Sequence, residues 1–383
     1  MHFNGGASTT NAAGRSAPDG AVSGRFDRSM TITMTPTGST PARTTTGSDF
    51  AVLSRRISGE GLMQRRPAYY LARLSVVTLM FLGGWTAFFL IGSSWWQLVT
   101  AVFLAVTFTQ IGLVAHDLAH RQVFRTKRPG ELLGRLAGNL GVGMSYGWWM
   151  DKHTRHHNNP NHDDLDPDVA PEVLIWATKS ALGRRGLKGF ITRHQAALFF
   201  PLLTLLAADL KVSSIKALRD GTVKRPRLES MLLILHAAGY LSALLLVLSP
   251  LQAIAFLLVH QALFGVYLGM TFAPNHKGMP HPTGDEDFLR KQVLTSRNVR
   301  GGWLTDAALG GLNYQIEHHL FPAMPTPNLR KAQPIVQAYC AEIGVAYEQT
   351  SLVTSYRQAL QYLREVGAPA RVEHAARRAR LAS

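Results

Sequence analysis

The hydrophobic pattern of this chain consists of four long apolar runs, arranged as two pairs and separated by polar and basic stretches. Residues 74–92, 95–114, 230–248 and 251–272 are each about 19 to 22 residues long, the length a helix needs to cross a hydrocarbon core. Only Ser93 and Ser94 separate the first pair, and only Ser249 and Pro250 the second, so each pair predicts a tight helical hairpin. Two shorter apolar stretches behave differently. Residues 196–210 contain Pro201 and Asp209 and are too short to span, while residues 130–149 carry Leu132, Leu133, Leu136 and Leu140 at helical spacing and end in Trp148 and Trp149. Both predict interfacial helices, because tryptophan favours the headgroup region. Helical runs near 328–343 and 352–366 are soluble in character. The pattern predicts an all-α integral membrane protein with four transmembrane helices in two hairpins, interfacial helices and a helical cap.

Residues 1–55 are rich in Gly, Ser, Thr and Ala, cannot bury enough surface to offset the entropy of ordering, and predict a disordered tail. The membrane domain is expected over residues 56–366, followed by a basic tail at 367–383. No apolar run occurs before about residue 70, so the first one is expected to remain as an anchor rather than act as a cleaved signal.

Charge adds orientation. Lys plus Arg is 40 against 24 for Asp plus Glu, a net +16, while the mean hydropathy of +0.02 merely averages very apolar and very basic stretches. The hairpin tips carry no Lys or Arg; the basic residues lie before the first span, between the second and third, and after the fourth. By the positive-inside rule those segments, both termini and the cap are cytoplasmic, in a multi-pass protein. Such a balance is ordinary in membrane-protein loops, which argues against nucleic acid as a partner. The lone cysteine, Cys340, can form no internal disulfide.

Histidine supplies the candidate chemistry. Three clusters stand on the polar side of the apolar runs: His116-Asp-Leu-Ala-His120, His153-Thr-Arg-His156-His157 and Gln315-Ile-Glu-His318-His319, and His276 ends another run in the same way. Residues three and four apart share a helix face, so each cluster can aim imidazoles at one point. Neutral imidazole is the common nitrogen ligand for transition metals, and these candidates exceed what one ion can hold. Two metals are the economical reading. Asp117 and Asp166 are candidates to orient ligating imidazoles from outside, and Glu317 is assigned the same outer role or charge balance.

Together, HDLAH, HTRHH followed by Asn158-Asn159-Pro160-Asn161-His162, and Gly311-Leu312-Asn313-Tyr314-QIEHH-Leu320-Phe321-Pro322 resemble the three boxes of membrane fatty acid desaturases. The QIEHHLFP segment resembles the branch with front-end, linoleoyl-CoA-type and actinobacterial acyl-CoA desaturases. The resemblance implies two non-haem irons at the cytosolic face of four membrane helices, with O2 as co-substrate. Carried over residue by residue, it makes His116, His120, His153, His156, His157, His318 and His319 ligands, with His276 supplying a further one. Some members have histidine where this chain has Gln315, whose amide oxygen can bind iron weakly or through water. His162 takes an outer hydrogen-bonding role by the same spacing, and Trp149 and Trp303 are candidate substrate contacts.

The activity so implied is insertion of a cis double bond into a long-chain acyl-CoA or acyl-lipid, with a delta-9 stearoyl-type reaction first and delta-6 front-end insertion next. A bacterial plasma membrane is the implied location. A lipid hydroxylase or epoxygenase would use the same centre, and a metal transporter or sensor is the rival from another class. Transport calls for ligands at mid-membrane, where only His236 and His260 lie. No HPGG haem motif of a fused cytochrome b5 occurs, so electrons are expected from a separate ferredoxin, cytochrome b5 or NAD(P)H-dependent flavin reductase. Arg184 and Arg185 are candidates to meet such a donor, a CoA phosphate or a lipid phosphate.

Overall fold

The computed structural model describes residues 48–170 and 173–382. Most of the expected tail, residues 1–47, lies outside the described residues. The remainder of that stretch is not tail. The chain enters α1 (Asp49–Gly59) at an N-cap where Ser48 Oγ accepts from Ala51 N at 3.3 Å, and Leu53 and Ile57 are fully buried. Apolar anchoring of one helix face overrides the low-complexity composition just upstream.

Four helices are long and apolar enough to cross a membrane: α2 (Pro67–Ile91), α3 (Gln97–Ala119), then, after α4 to α7, α8 (Pro226–Val247) and α9 (Pro250–His276). Their lipid-facing positions are large and apolar, as at Leu79, Leu90, Leu235 and Leu246. The hairpin tips are tied together, with Ser93 Oγ donating to Gln252 Oε1 at 2.7 Å. Pro67, Pro226 and Pro250 each stand in the first turn of a helix, where the missing N–H costs nothing. α3 and α9 run past their expected ends at 114 and 272, and that extra length carries His116 and His276 inside regular helix. α3 packs along α9 through Phe108, Ile111, Phe264 and Leu268.

The two interfacial stretches are not single helices. α4 (Lys127–Arg135) passes into a π-helical segment, Leu136–Val142, that stops at Gly143 with φ 74°. Only a glycine fits there, since a Cβ would lie 2.5 Å from the His236 ring. α5 (Tyr146–Asn158) then starts afresh with Ser145 as N-cap. Likewise α6 (Gly186–Leu203) and α7 (Leu206–Arg219) meet at an 86° bend just after Pro201.

The cap contains α10 (Phe288–Leu294), β1 (Asn298–Arg300), α11 (Trp303–Ala308), α12 (Gln315–Leu320), α13 (Thr326–Glu342), β2 (Gln349–Ser351), α14 (Leu352–Val366) and α15 (Ala368–Ala382). β1 and β2 pair in parallel, with Val299 opposite Thr350. The cap core joins Leu53, Ile57, Val293, Ile316, Leu329, Val336 and Tyr339. The basic segment expected as a tail after residue 366 is therefore helical in this fold.

Glu229, fully buried in the first turn of α8, fastens the α4–α5 region to the membrane helices. It accepts from Ser145 Oγ at 2.6 Å, Gly147 N at 3.1 Å, Asn139 Nδ2 at 3.1 Å and Arg135 Nε at 3.3 Å. Without Glu229, Arg135 would keep Glu131 at 3.4 Å, but Ser145, Gly147 N and Asn139 would lose their buried acceptor, at about 1–3 kcal/mol for each group left unsatisfied. Glu229→Ala is expected to lower the thermal midpoint of the detergent-solubilised protein by several degrees; an unchanged midpoint would show that these bonds do not hold the fold.

Candidate metal centre

Each histidine cluster reaches the centre on its own helical element. α3 presents His116, and His120 caps its end; α5 presents His153, His156 and His157; α9 ends in His276; and the single-turn α12 carries Gln315, His318 and His319. The ring nitrogens converge in two groups, His116, His120, His153, His157 and His318 in one, and His156, His276 and His319 in the other, each within 4.8 Å. Within the first, Nε2 of His153 stands 2.8 Å from that of His120 and 3.1 Å from that of His157, which is 3.2 Å from that of His318. In the second, the Nε2 atoms of His156 and His276 are 3.3 Å apart.

A cation fits these groups better than hydrogen bonds do. A neutral imidazole has one N–H, so a ring of facing nitrogens cannot satisfy itself. Both ring nitrogens of His116 and Nε2 of His319 are buried without any partner. Metal–imidazole bonds of about 2.0 to 2.1 Å match separations of this size between nitrogens around one ion. Burial first, and mutual repulsion second, hold His120, His153, His157, His318 and His319 well below the ordinary histidine value. Lone pairs are therefore available at neutral pH.

The outer partners fix which nitrogen faces inward. His156 Nδ1 lies 2.9 Å from Asp166 Oδ2, His276 Nδ1 lies 3.1 Å from the Thr295 carbonyl, and His319 Nδ1 lies 2.8 Å from Gln292 Oε1. Each leaves Nε2 for the centre. Asp117 stands beside His116, at 3.6 Å from its Nδ1, and is backed by Arg73 at 3.9 Å. Burial would raise the Asp166 carboxyl, but the bond to His156 outweighs it and holds the group below its ordinary value.

Gln315 is at the centre too, with its amide nitrogen placed 2.9 Å from His276 Nε2 and its oxygen accepting from Asn275 at 3.2 Å. Rotating the amide by a half-turn would present the oxygen instead. Three expectations are corrected. His162 contacts no ligand: its Nδ1 accepts from Asp164 N at 3.2 Å on a turn, whereas its neighbour Asn161 bonds Asp166 and the His276 carbonyl. Asn161 can do so because it adopts φ 59°, a conformation asparagine tolerates. Glu317 faces away from the imidazoles, bound by Asn298 Nδ2 and Tyr347 OH at 2.7 Å each, and burial raises its carboxyl to about 7 against those bonds. Trp303 is 70% exposed and forms no part of the site, while Trp149 stacks on His153 at 4.6 Å.

Sequence spacing gave no sign of Gln292, Thr295 or Arg297. Arg297 is buried and donates from Nε to the Pro274 carbonyl at 2.7 Å and from a terminal nitrogen to the Lys277 carbonyl. It thereby caps the end of α9 that carries His276, and burial lowers it only to about 10, so it remains a cation.

Over residues 93–351 the chain matches the model of the family described as Fatty acid desaturase, a stretch that contains every histidine of both groups. The chain belongs to the fatty acid desaturase family. It is 32% identical to the Acyl-lipid (9-3)-desaturase of Physcomitrium patens over 287 residues, which are 73% of this chain and 55% of that relative. It is 29% identical to Fatty acid desaturase 3 of Bos taurus over 87% of this chain and 76% of the other. For the Delta(5) fatty acid desaturase fat-4 of Caenorhabditis elegans the figures are 27%, 83% and 73%. The match therefore spans little more than half the length of the first of these relatives.

In this desaturase-family chain, a cavity of about 250 Å³ runs from the histidines into the bundle. His116, His153, His156, His276 and Gln315 line one part, and Val142, Phe199, Leu203, Leu210, Phe264 and Leu268 the rest. Lys152, Asp168, Lys277 and Trp176 also border it.

Asp166→Asn is expected to weaken metal binding about 10- to 100-fold, the usual effect of losing an outer partner of a ligating histidine. Chelator competition measures it. Equal affinity in the variant would remove Asp166 from the site. His318→Ala should lower bound metal per chain, whereas His236→Ala should not, because His236 Nδ1 lies 2.9 Å from the Leu140 carbonyl, away from the cluster.

Proposed function

We propose that this protein is an O2-dependent acyl desaturase that inserts a cis double bond into a long-chain acyl-CoA or acyl-lipid. The observation that carries this reading is the apolar cavity closing on two groups of converging imidazoles. Two irons are the proposed occupants, held by His116, His120, His153, His157 and His318 on one side and His156, His276 and His319 on the other, with Gln315 beside His276. Bound iron would supply the O2 chemistry that no side chain can. The balance is simple: two hydrogens from adjacent methylenes, with two electrons and two protons from a donor, reduce O2 to two waters.

The protein's own task is placement. Leu203, Leu210, Phe264 and Leu268 hold an alkyl chain by exclusion of water, and Trp149, rigid against His153, presses the chain toward the histidines. The polar border at Lys152, Asp168 and Lys277 suits the acyl headgroup. Relatives named for positions 5, 6 and 8 favour insertion near the carboxyl end, such as delta-6, over the delta-9 reaction. The electron donor is proposed to be a ferredoxin, cytochrome b5 or NAD(P)H-dependent flavin reductase. A bacterial plasma membrane with the centre and both termini on the cytoplasmic side fits the charge distribution. A transporter fits less well, because His260 is engaged by Tyr240 at 2.7 Å and leads to no chain of ligands across the bilayer.

Expression with a matching reductase, followed by mass spectrometric location of new double bonds, tests the proposal. Unsaturated acyl product that disappears in His318→Ala is expected; hydroxylated lipid alone would assign the chain to the hydroxylase alternative. Cavity shape provides a second test. Gly112 lines the cavity, and a Cβ there would meet nothing nearer than Leu268 Cδ1 at 3.8 Å, so a side chain can start there without a clash at its first atom. Gly112→Leu should keep bound metal while losing most turnover of long acyl chains; undiminished turnover of those chains would remove the cavity from the substrate path.

A further inference from the structure

The proposed reaction leaves a basic surface of the structure unused. α15 is packed at its start, where a Cβ on Gly367 would lie 2.6 Å from the Thr192 carbonyl of α6. Arg371 donates to the Arg193 carbonyl at 3.3 Å, and Glu373 accepts from Gly183 N at 3.0 Å. Beyond that seam, residues 372–381 are exposed on every side of the helix, including Val372 at 69% and Leu381 at 79%. Arg377, Arg378 and Arg380 lie in this stretch, whose one acidic side chain is Glu373. The cations are close enough to act on one another: local desolvation, then Arg193, Arg378 and Arg377, hold His374 below its ordinary value.

The neighbouring start of α6 has the same mixed character. Arg185 and Lys188 are exposed next to Leu182, Leu187 and Phe190, whose exposures are 59%, 73% and 47%. The other end of α6 is pinned to a spanning helix, since a Cβ at Gly265 of α9 would lie 2.5 Å from the Leu203 carbonyl. α6 therefore ties the basic surface to the bilayer. We propose that α15 and the start of α6 form a binding surface for anionic phospholipid headgroups, with arginine and lysine meeting phosphate and the interleaved leucine and phenylalanine entering the acyl boundary. Charge alone would also attract an acidic protein. The exposed apolar side chains decide for lipid, because they gain nothing from a highly charged soluble partner.

The full-length protein in phosphatidylcholine nanodiscs, with and without phosphatidylglycerol, gives the test. Amide exchange over residues 368–382 should slow at least about tenfold when phosphatidylglycerol is present, as expected for several basic residues at an anionic surface. The protection should vanish near 1 M salt, where the screening length is about 3 Å. A bimane label on Leu381→Cys should be quenched by spin-labelled lipid under the same conditions, and Cys340, fully buried, does not compete for the label. R377E/R378E/R380E should lose both effects with metal content unchanged. Equal exchange in both lipids would overturn the proposal without recourse to any variant. So would protection that arises only on adding an acidic electron-donor protein.

Discussion

A set of imidazole nitrogens that cannot satisfy one another is the constraint on which this structure turns. Eight histidines are brought into two groups with facing nitrogens, burial holds His120, His153, His157, His318 and His319 well below the ordinary histidine value, and several nitrogens have no hydrogen-bond partner. In water such a cluster would disperse. Here it is held in place by elements whose own stability has other sources: the α3–α9 packing below, the apolar cap core above, and the Glu229 clamp at the side. These elements set the geometry of the site, and a bound cation would relieve the lone-pair repulsion among its nitrogens.

Positioning is shared between short and long elements. Single-turn α12 could not orient Gln315, His318 and His319 by itself, since an isolated turn is not a stable helix. Asn298 does much of that work, accepting from Ile316 N at 2.9 Å while its amide holds Glu317. The raised carboxyl of Glu317 thus belongs to the support of the third cluster rather than to its metal face. At α9, Arg297 plays a comparable part by occupying the carbonyls that the helix end leaves open.

These supports explain how much was legible in the sequence. The four spans, the two hairpins, the range of α14 and the histidine spacings rest on local periodicity, and each appears in the structure, with the spanning helices running several residues beyond the apolar runs at one end. What local pattern missed depends on distant contacts. The break at Gly143 is dictated by His236, about ninety residues away, and the orientation of His319 depends on Gln292 in a segment with no motif. His162 and Trp303 failed as candidates for the converse reason. Proximity in sequence to a histidine cluster does not give direction, and a turn at Asn161 points the neighbouring side chain elsewhere.

The same logic bears on why the centre stands at the end of the spans rather than within them. His236 and His260, within the spans, are paired through Nδ1 with the Leu140 carbonyl and with Tyr240, and neither stands among the converging rings. By continuing α3 and α9 past the ends of their apolar runs, the chain reaches surroundings where a carboxylate and a backbone carbonyl can hold Nδ1 of His156 and His276 and leave Nε2 open. The cavity adjoins this centre with apolar side chains of the spanning and interfacial helices on one part of its wall and histidines on another. On the proposed reading, that division would let an alkyl chain lie against apolar side chains while the imidazoles, held through Nδ1, keep their supporting hydrogen bonds.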